Sequence, residues 1–153
     1  MANLESQKYR ASVAGMILKG FKEILMVQNT SFSKDEWDFP KGGMNLEEEE
    51  EETLKREIEE ELGLELKYSV IRKSSCSIIY TWPKEKQIIE GMRGQARVSF
   101  WLNYESGEIN SDTEEITNFK WVPINDLEKV LKQSNWPETI IKTLLFDLNL
   151  LLS

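Results

Sequence analysis

Hydrophobic and polar positions change period several times along the chain, and the changes predict its elements. Residues 9–18 (YRASVAGMIL) and 23–28 are rich in apolar and β-branched side chains and predict two strands, with Lys19-Gly20-Phe21-Lys22 as the hairpin turn between them. Residues 29–35 predict a loop. Residues 37–40 (WDFP) predict an extended piece, because the residue before proline disfavours helix. Residues 41–46 predict a glycine-bearing loop whose backbone can approach a ligand closely. The period then lengthens: Leu54, Ile58 and Leu62 form the apolar stripe of a helix that starts near Glu48 and stops at Gly63, read as a left-handed terminator. Residues 66–82 predict a strand, 83–94 a loop and 95–104 another strand. An acidic connector (105–115), a short strand (118–122) and a helix begun by Pro123 (123–131) follow. Trp136 or Pro137 opens a last helix, where Ile140, Ile141, Leu144, Leu145 and Leu148 recur at helical spacing. Residues 1–8 are polar and predicted to fray. With no repeat or linker, the pattern predicts a single domain over residues 1–153, an α+β fold with a mixed sheet between helices.

Composition narrows the chemistry. At 153 residues with 40% hydrophobic side chains, the chain can bury a real core. No apolar run approaches the length of a membrane span, and the N-terminus lacks a signal-peptide pattern. The single Cys76 excludes an internal disulfide and, with no targeting segment, predicts a cytoplasmic protein. There is no histidine, which removes histidine acid–base catalysis and histidine metal sites. The net charge of −8 is local: residues 47–65 carry 11 Glu against Lys55 and Arg56, while the rest of the chain is close to neutral. An anionic substrate would need cations to approach that stretch.

On a helix Glu57, Glu60 and Glu61 share one face, at i, i+3 and i+4. Like charges at this spacing repel, so the arrangement is a poor helix stabiliser. It is a good way to hold a hard divalent cation, which prefers several oxygens. For most of the remaining glutamate run a solvated face suffices.

The spacing also resembles a known one. Gly42, Glu48, Arg56, Glu57, Ile58, Glu60, Glu61, Gly63 and Leu64 fill every fixed position of the Nudix box, G-x5-E-x7-R-E-U-x-E-E-x-G-U. The resemblance implies the Nudix fold, an α/β/α sandwich with a mixed sheet between helices. It implies magnesium or manganese held by Glu57, Glu60 and Glu61, with Glu115 as a further ligand or base and Gly42 offering backbone to the metal site. Arg56 would brace Glu48, and Glu57, Glu60 and Glu115 would be the catalytic carboxylates, with Glu57 or Glu115 taking the proton of the attacking water.

Beyond the box, Tyr9-Arg10, residues 37–43 (WDFPKGG), Arg93-Gly94-Gln95, Ile109-Asn110 and Trp121-Val122 resemble the branch of RNA pyrophosphohydrolases and asymmetric diadenosine tetraphosphate hydrolases. The substrates implied are triphosphorylated RNA 5′ ends and dinucleoside polyphosphates. Arg10, Lys41 and Arg93 are candidates for holding phosphates, and Trp136 for stacking on a base. Three departures bear on RNA: the family's GQKQ-like run is Gly94-Gln95-Ala96-Arg97, Asn29 stands where RNA-preferring relatives carry Arg, and Asn135-Trp136-Pro137 replaces a phenylalanine–lysine pair. The competing readings are a hydrolase of free nucleoside triphosphates or nucleotide sugars, and a catalytically silent nucleotide-binding module. Residues 150–152 (LLL) could reach a second subunit, so monomer and homodimer are both open.

Overall fold

The computed structural model describes residues 8–29, 35–110 and 116–153. In chain order the elements are β1 (Tyr9–Lys19), β2 (Glu23–Asn29), β3 (Lys41–Gly43), α1 (Glu50–Leu62), β4 (Lys67–Lys73) and β5 (Ile78–Thr81). Then come α2 (Lys84–Glu90), β6 (Gly94–Ser106), β7 (Ile116–Pro123), a 3-10 turn (Ile124–Asp126), α3 (Leu127–Gln133) and α4 (Glu138–Leu152). Among the described residues the strands form one mixed sheet ordered β4-β6-β1-β2-β7.

The centre of that sheet is a parallel pair. β1 runs beside β6 from Tyr9 opposite Gly94 to Leu18 opposite Asn103. The outer edge of each of these two strands is divided between two shorter partners. On β1, β3 covers Ser12 to Ala14 and β2 covers Leu18 and Lys19. On β6, β5 covers Gly94 to Arg97 and β4 covers Phe100 to Ser106. Where β2 and β3 diverge, residues 38–40 close the gap: Asp38 exchanges both backbone hydrogen bonds with Val27, and the Gly15 amide donates to Pro40 O at 2.9 Å.

Strand alternation sorts the core into two layers. Val13, Ile17, Leu25, Val27, Phe100 and Leu102 meet Leu54, Ile58 and Leu62 of α1. Their neighbours Ala14, Met16, Leu18, Ile24, Met26 and Trp101 meet α3 and α4 through Leu127, Val130, Leu131, Ile141, Leu144 and Leu148. The expected α/β/α sandwich is the observed one. No helix among the described residues is long and apolar enough to cross a membrane.

Several boundaries differ from expectation, each for a physical reason. Residues 66–82 form two strands, separated at 74–77, where the Ser74 amide still donates to Ser99 O but the Ser74 and Ser75 side chains turn to Asp147. The predicted loop at 83–94 contains α2, which buries none of its side chains and so carries no apolar stripe to announce it. The loop at 41–46 begins with β3, three residues too glycine-rich to show alternation. Helix α1 starts at Glu50, with Glu49 as N-cap. It ends at Gly63 with φ 91° and ψ 176°, which is not the left-handed helical stop expected, and Asn110 N caps its C-terminus through Leu62 O at 2.8 Å. Pro123 closes β7 rather than opening a helix. On α4, Leu150 and Leu152 are exposed while Leu151 packs on the core. Of the predicted fray over residues 1–8, residues 1–7 lie outside the described residues, and Lys8 is tied in, its carbonyl accepting from Arg93 N at 2.7 Å.

One buried acid ties α4 to the sheet. Asp147 is 1% exposed, and it accepts from Ser74 Oγ and Trp101 Nε1 at 2.6 Å, Ser75 Oγ at 2.8 Å and Arg72 Nη2 at 3.0 Å. Burial alone would raise its pKa, but these hydrogen bonds outweigh that and hold it well below the usual carboxylate range. A depressed carboxylate contributes stability that is present above its unfolded pKa of about 4 and is lost as pH falls through the folded value. Asp147→Asn is therefore expected to cost about 2 kcal/mol at pH 7, because an amide cannot accept all four donors. Its melting temperature should also fall less than wild type's on acidification below about pH 4, followed by circular dichroism.

Candidate active site

The end of the sheet where β1 pairs with β3 gathers most of the charged residues singled out in the sequence. Gly42 lies opposite Val13 and faces α1; Gly43 lies opposite Ser12 and faces the other layer. A Cβ built on Gly42 would stand 1.8 Å from Glu57 Cδ, so the Glu57 carboxyl group occupies the space any larger residue would need. A Cβ on Gly43 would stand 2.2 Å from Arg10 Nε. The glycine pair is thus demanded by close approach from both faces: a carboxylate on one side and a guanidinium on the other.

Arg56 fastens this strand to the helix. Its Nε and Nη2 donate to the two oxygens of Glu48 at 2.7 and 2.9 Å, a bidentate pairing. Nη2 also donates to Gly43 O at 2.9 Å, and Nη1 donates to Glu57 Oε1 at 2.8 Å and reaches Glu60 at 3.3 Å. Glu48 in turn accepts from Asn45 N and Thr53 Oγ1, both at 2.8 Å. The Arg56 hydrogen bond, then the Asn45 amide, bring the Glu48 pKa down to about 2. Arg56 is thus paired with Glu48, and it also places a positive charge between Glu57 and Glu60, easing the repulsion their spacing creates.

Of the three helix carboxylates, Glu57 and Glu61 are buried, at 7% and 3% exposure, while the Glu60 side chain is 43% exposed. Among the described residues no three acidic or thiol side chains stand close enough to hold a metal ion as they are. The donor set nonetheless suits magnesium or manganese: it consists of carboxylate oxygens, one of them lodged in the cradle that Gly42 leaves open. Glu115 lies outside the described residues.

The cationic candidates divide. Lys41 precedes Gly42 in β3, on the Arg10 side of the strand by alternation. Arg93 sits one strand over, its amide bonded to Lys8 O at 2.7 Å where β6 begins beside β1. Trp136 is engaged by the chain itself: its ring meets Phe39 edge to face at 5.7 Å, and Nε1 donates to Trp37 O at 3.3 Å. The ring also borders a cavity of about 230 Å³ shared with Tyr80, Arg97 and Ile140.

Asp38 and Arg97 are functional-site neighbours that sequence reasoning did not single out. They form a bidentate ion pair at 2.9 and 3.0 Å, with Arg97 3% and Asp38 8% exposed. The available signal was the departure of Arg97 from a GQKQ-like run, coupled with an acid in residues 37–40.

Comparison with known proteins agrees with this fold. The profile of the NUDIX domain matches residues 8–144. An RNA pyrophosphohydrolase of a Nitratiruptor species is 30% identical over 131 residues, 81% of this chain and 84% of that one. One from Ruthia magnifica subsp. Calyptogena magnifica is 30% identical over 140 residues, 81% and 75% of the two chains. Among solved structures, a C. elegans Ap4A hydrolase binary complex superposes with a TM-score of 0.64 at 18% identity, over 88% of this chain and 94% of that one. A NUDIX hydrolase from Nitrosomonas europaea gives 0.59 at 18% identity, over 90% and 86%. A helix carrying the full box, a glycine strand shaped around its carboxylate and a family match spanning nearly the whole chain lead to one assignment: the chain belongs to the Nudix family of pyrophosphohydrolases.

Proposed function

We propose that the protein is a magnesium- or manganese-dependent hydrolase that cleaves phosphoric anhydride bonds in triphosphorylated RNA 5′ ends and dinucleoside polyphosphates. The observation that carries the reading is the Glu57 carboxyl group seated against Gly42 and tied by Arg56 to the same strand. The relatives matched at 30% identity, which are RNA pyrophosphohydrolases, support the substrate class.

Glu57, Glu60 and Glu61, with Glu115 from the acidic connector, would hold the cation. When bound, it supplies neutralisation of phosphate charge and a more acidic water. Glu57 or Glu115 accepts the proton of the attacking water. Arg56 keeps Glu57 in place, and Glu48 keeps Arg56 in place. Arg10 and Lys41, across the glycine strand from Glu57, hold the phosphates beyond the scissile bond, with Arg93 on the adjoining strand. A single face of one helix thus handles the polyphosphate, and the cations on the far side of β3 favour substrates that extend past it.

Three outcomes test this. Glu57→Gln, Glu60→Gln and Glu61→Gln should each lower turnover about 100-fold or more, while Glu50→Gln and Glu51→Gln leave it within about twofold; equal losses in both sets would refute the assignment of the face. Gly42→Ala should lower turnover at least about tenfold, because its Cβ displaces the Glu57 carboxyl group, with a folded circular dichroism spectrum retained. In a competition containing equimolar triphosphorylated oligonucleotide, diadenosine tetraphosphate, dGTP and ADP-ribose with magnesium, chromatography should show the first two consumed first. Preferential loss of dGTP or ADP-ribose would remove the substrate assignment and leave the family assignment intact.

A further inference from the structure

Residues 37–41 lead the chain into Gly42 and Gly43 and are anchored on the way to other parts of the fold. Asp38 is held through its backbone by Val27, but its side chain points to β6, where the Arg97 guanidinium takes both carboxylate oxygens. Oδ1 also accepts from the amide of Phe39 at 2.6 Å, which fixes the turn of the chain into Pro40. Pro40 O then receives the Gly15 amide, and the next three residues are β3. On the outer side, the corner between α3 and α4 grips the same segment: Ser134 Oγ accepts from Trp37 N at 2.9 Å, and Trp136 bonds Trp37 O. Arg97 lies 5.9 Å from the Trp136 ring, so one guanidinium meets both the segment and the corner that clamps it.

Arg97 is fully inside the protein, where burial disfavours its charge and the Asp38 carboxylate more than restores it. A buried ion pair is a costly way to gain stability, because desolvation offsets most of the attraction. What a bidentate fork supplies is geometry: two parallel bonds fix both the distance and the plane of the carboxylate. Here the fixed carboxylate lies four residues before Gly42, against which the Glu57 carboxyl group packs so closely that a Cβ would not fit.

We infer that Asp38 and Arg97 are positioning residues: their ion pair sets the height of β3 beneath Glu57 and so governs turnover without touching substrate. The inference rests on the activity proposed above. Of the candidate phosphate-holding cations, Arg10 lies on β1 and Arg93 just before β6, and only Lys41 lies on β3, so loss of the pair should appear chiefly in kcat, with a smaller change in KM.

The test uses the full chain with magnesium and diadenosine tetraphosphate, assayed well below each variant's melting midpoint so that only folded protein is compared. Arg97→Lys keeps the charge and loses the fork; Asp38→Asn keeps the shape and loses the charge. Both are expected to lower kcat about tenfold with KM within about threefold, a loss in line with a misplaced reacting group. The double variant Asp38→Asn, Arg97→Lys should be no worse than the worse single one, since the same pair is broken only once. Unchanged kcat in both single variants, with only a lower melting temperature, would overturn the inference and make the pair a stabilising contact. A rise in KM at constant kcat would overturn it too, by placing the pair in substrate binding. An inactive wild type would instead refute the proposed activity, so the two failures are distinguishable.

Discussion

The Arg56 guanidinium is the contact on which the rest of this end of the molecule depends. Helix α1 and its approach carry ten glutamates in fifteen residues, and such a segment has every electrostatic reason to repel itself. Arg56 converts part of that repulsion into structure. Glu48, Glu57 and Glu60 each come within bonding distance of it, and its remaining donor reaches the Gly43 carbonyl. A single planar group with donors in several directions can serve all four; an ammonium at the end of a flexible stem could not hold them in fixed relation.

The glycine strand is where side chains from the two faces of the sheet come closest. Elsewhere alternation keeps the layers apart, so that α1 sees only one set of side chains and α4 only the other. At Gly42 and Gly43 there are no side chains to separate them. A carboxylate from above and a guanidinium from below come to successive residues of one short strand. This is only possible because β2 leaves β1 after two residue pairs and opens its edge. The divided edge of β1 is thus what makes room for that approach in an otherwise continuous sheet.

Much of this could be read from the sequence, and the boundary of what could follows interaction range. Contacts within one helix obey a fixed spacing, so the Glu57, Glu60 and Glu61 face and its apolar neighbour were legible. The brace between Glu48 and Arg56 was legible too, through resemblance, and the layered fold followed from strand and helix periods. Contacts between distant segments have no such spacing. Asp147 meets Ser74 and Trp101 across more than 40 residues, and a lone acid in the apolar stripe of α4 was its only trace. Asp38 and Arg97, 59 positions apart, carried still less signal. Elements that bury nothing, such as α2, or that are mostly glycine, such as β3, show no alternation to detect.

The parallel pairing of β1 with β6 bears on how the protein is made. Tyr9 finds its partner at Gly94, so the innermost strand of the sheet closes a loop of more than eighty residues before it gains a neighbour on that side. Loop closure of that span is entropically costly and slows the search for the native arrangement. During synthesis β1, β2, β3 and α1 all leave the ribosome well before β6, so the acidic helix waits for Phe100 and Leu102 to complete the surface beneath it. Order at this site is therefore a late event in the life of the chain, and until then its apolar strands are the segments most in need of a chaperone's shelter.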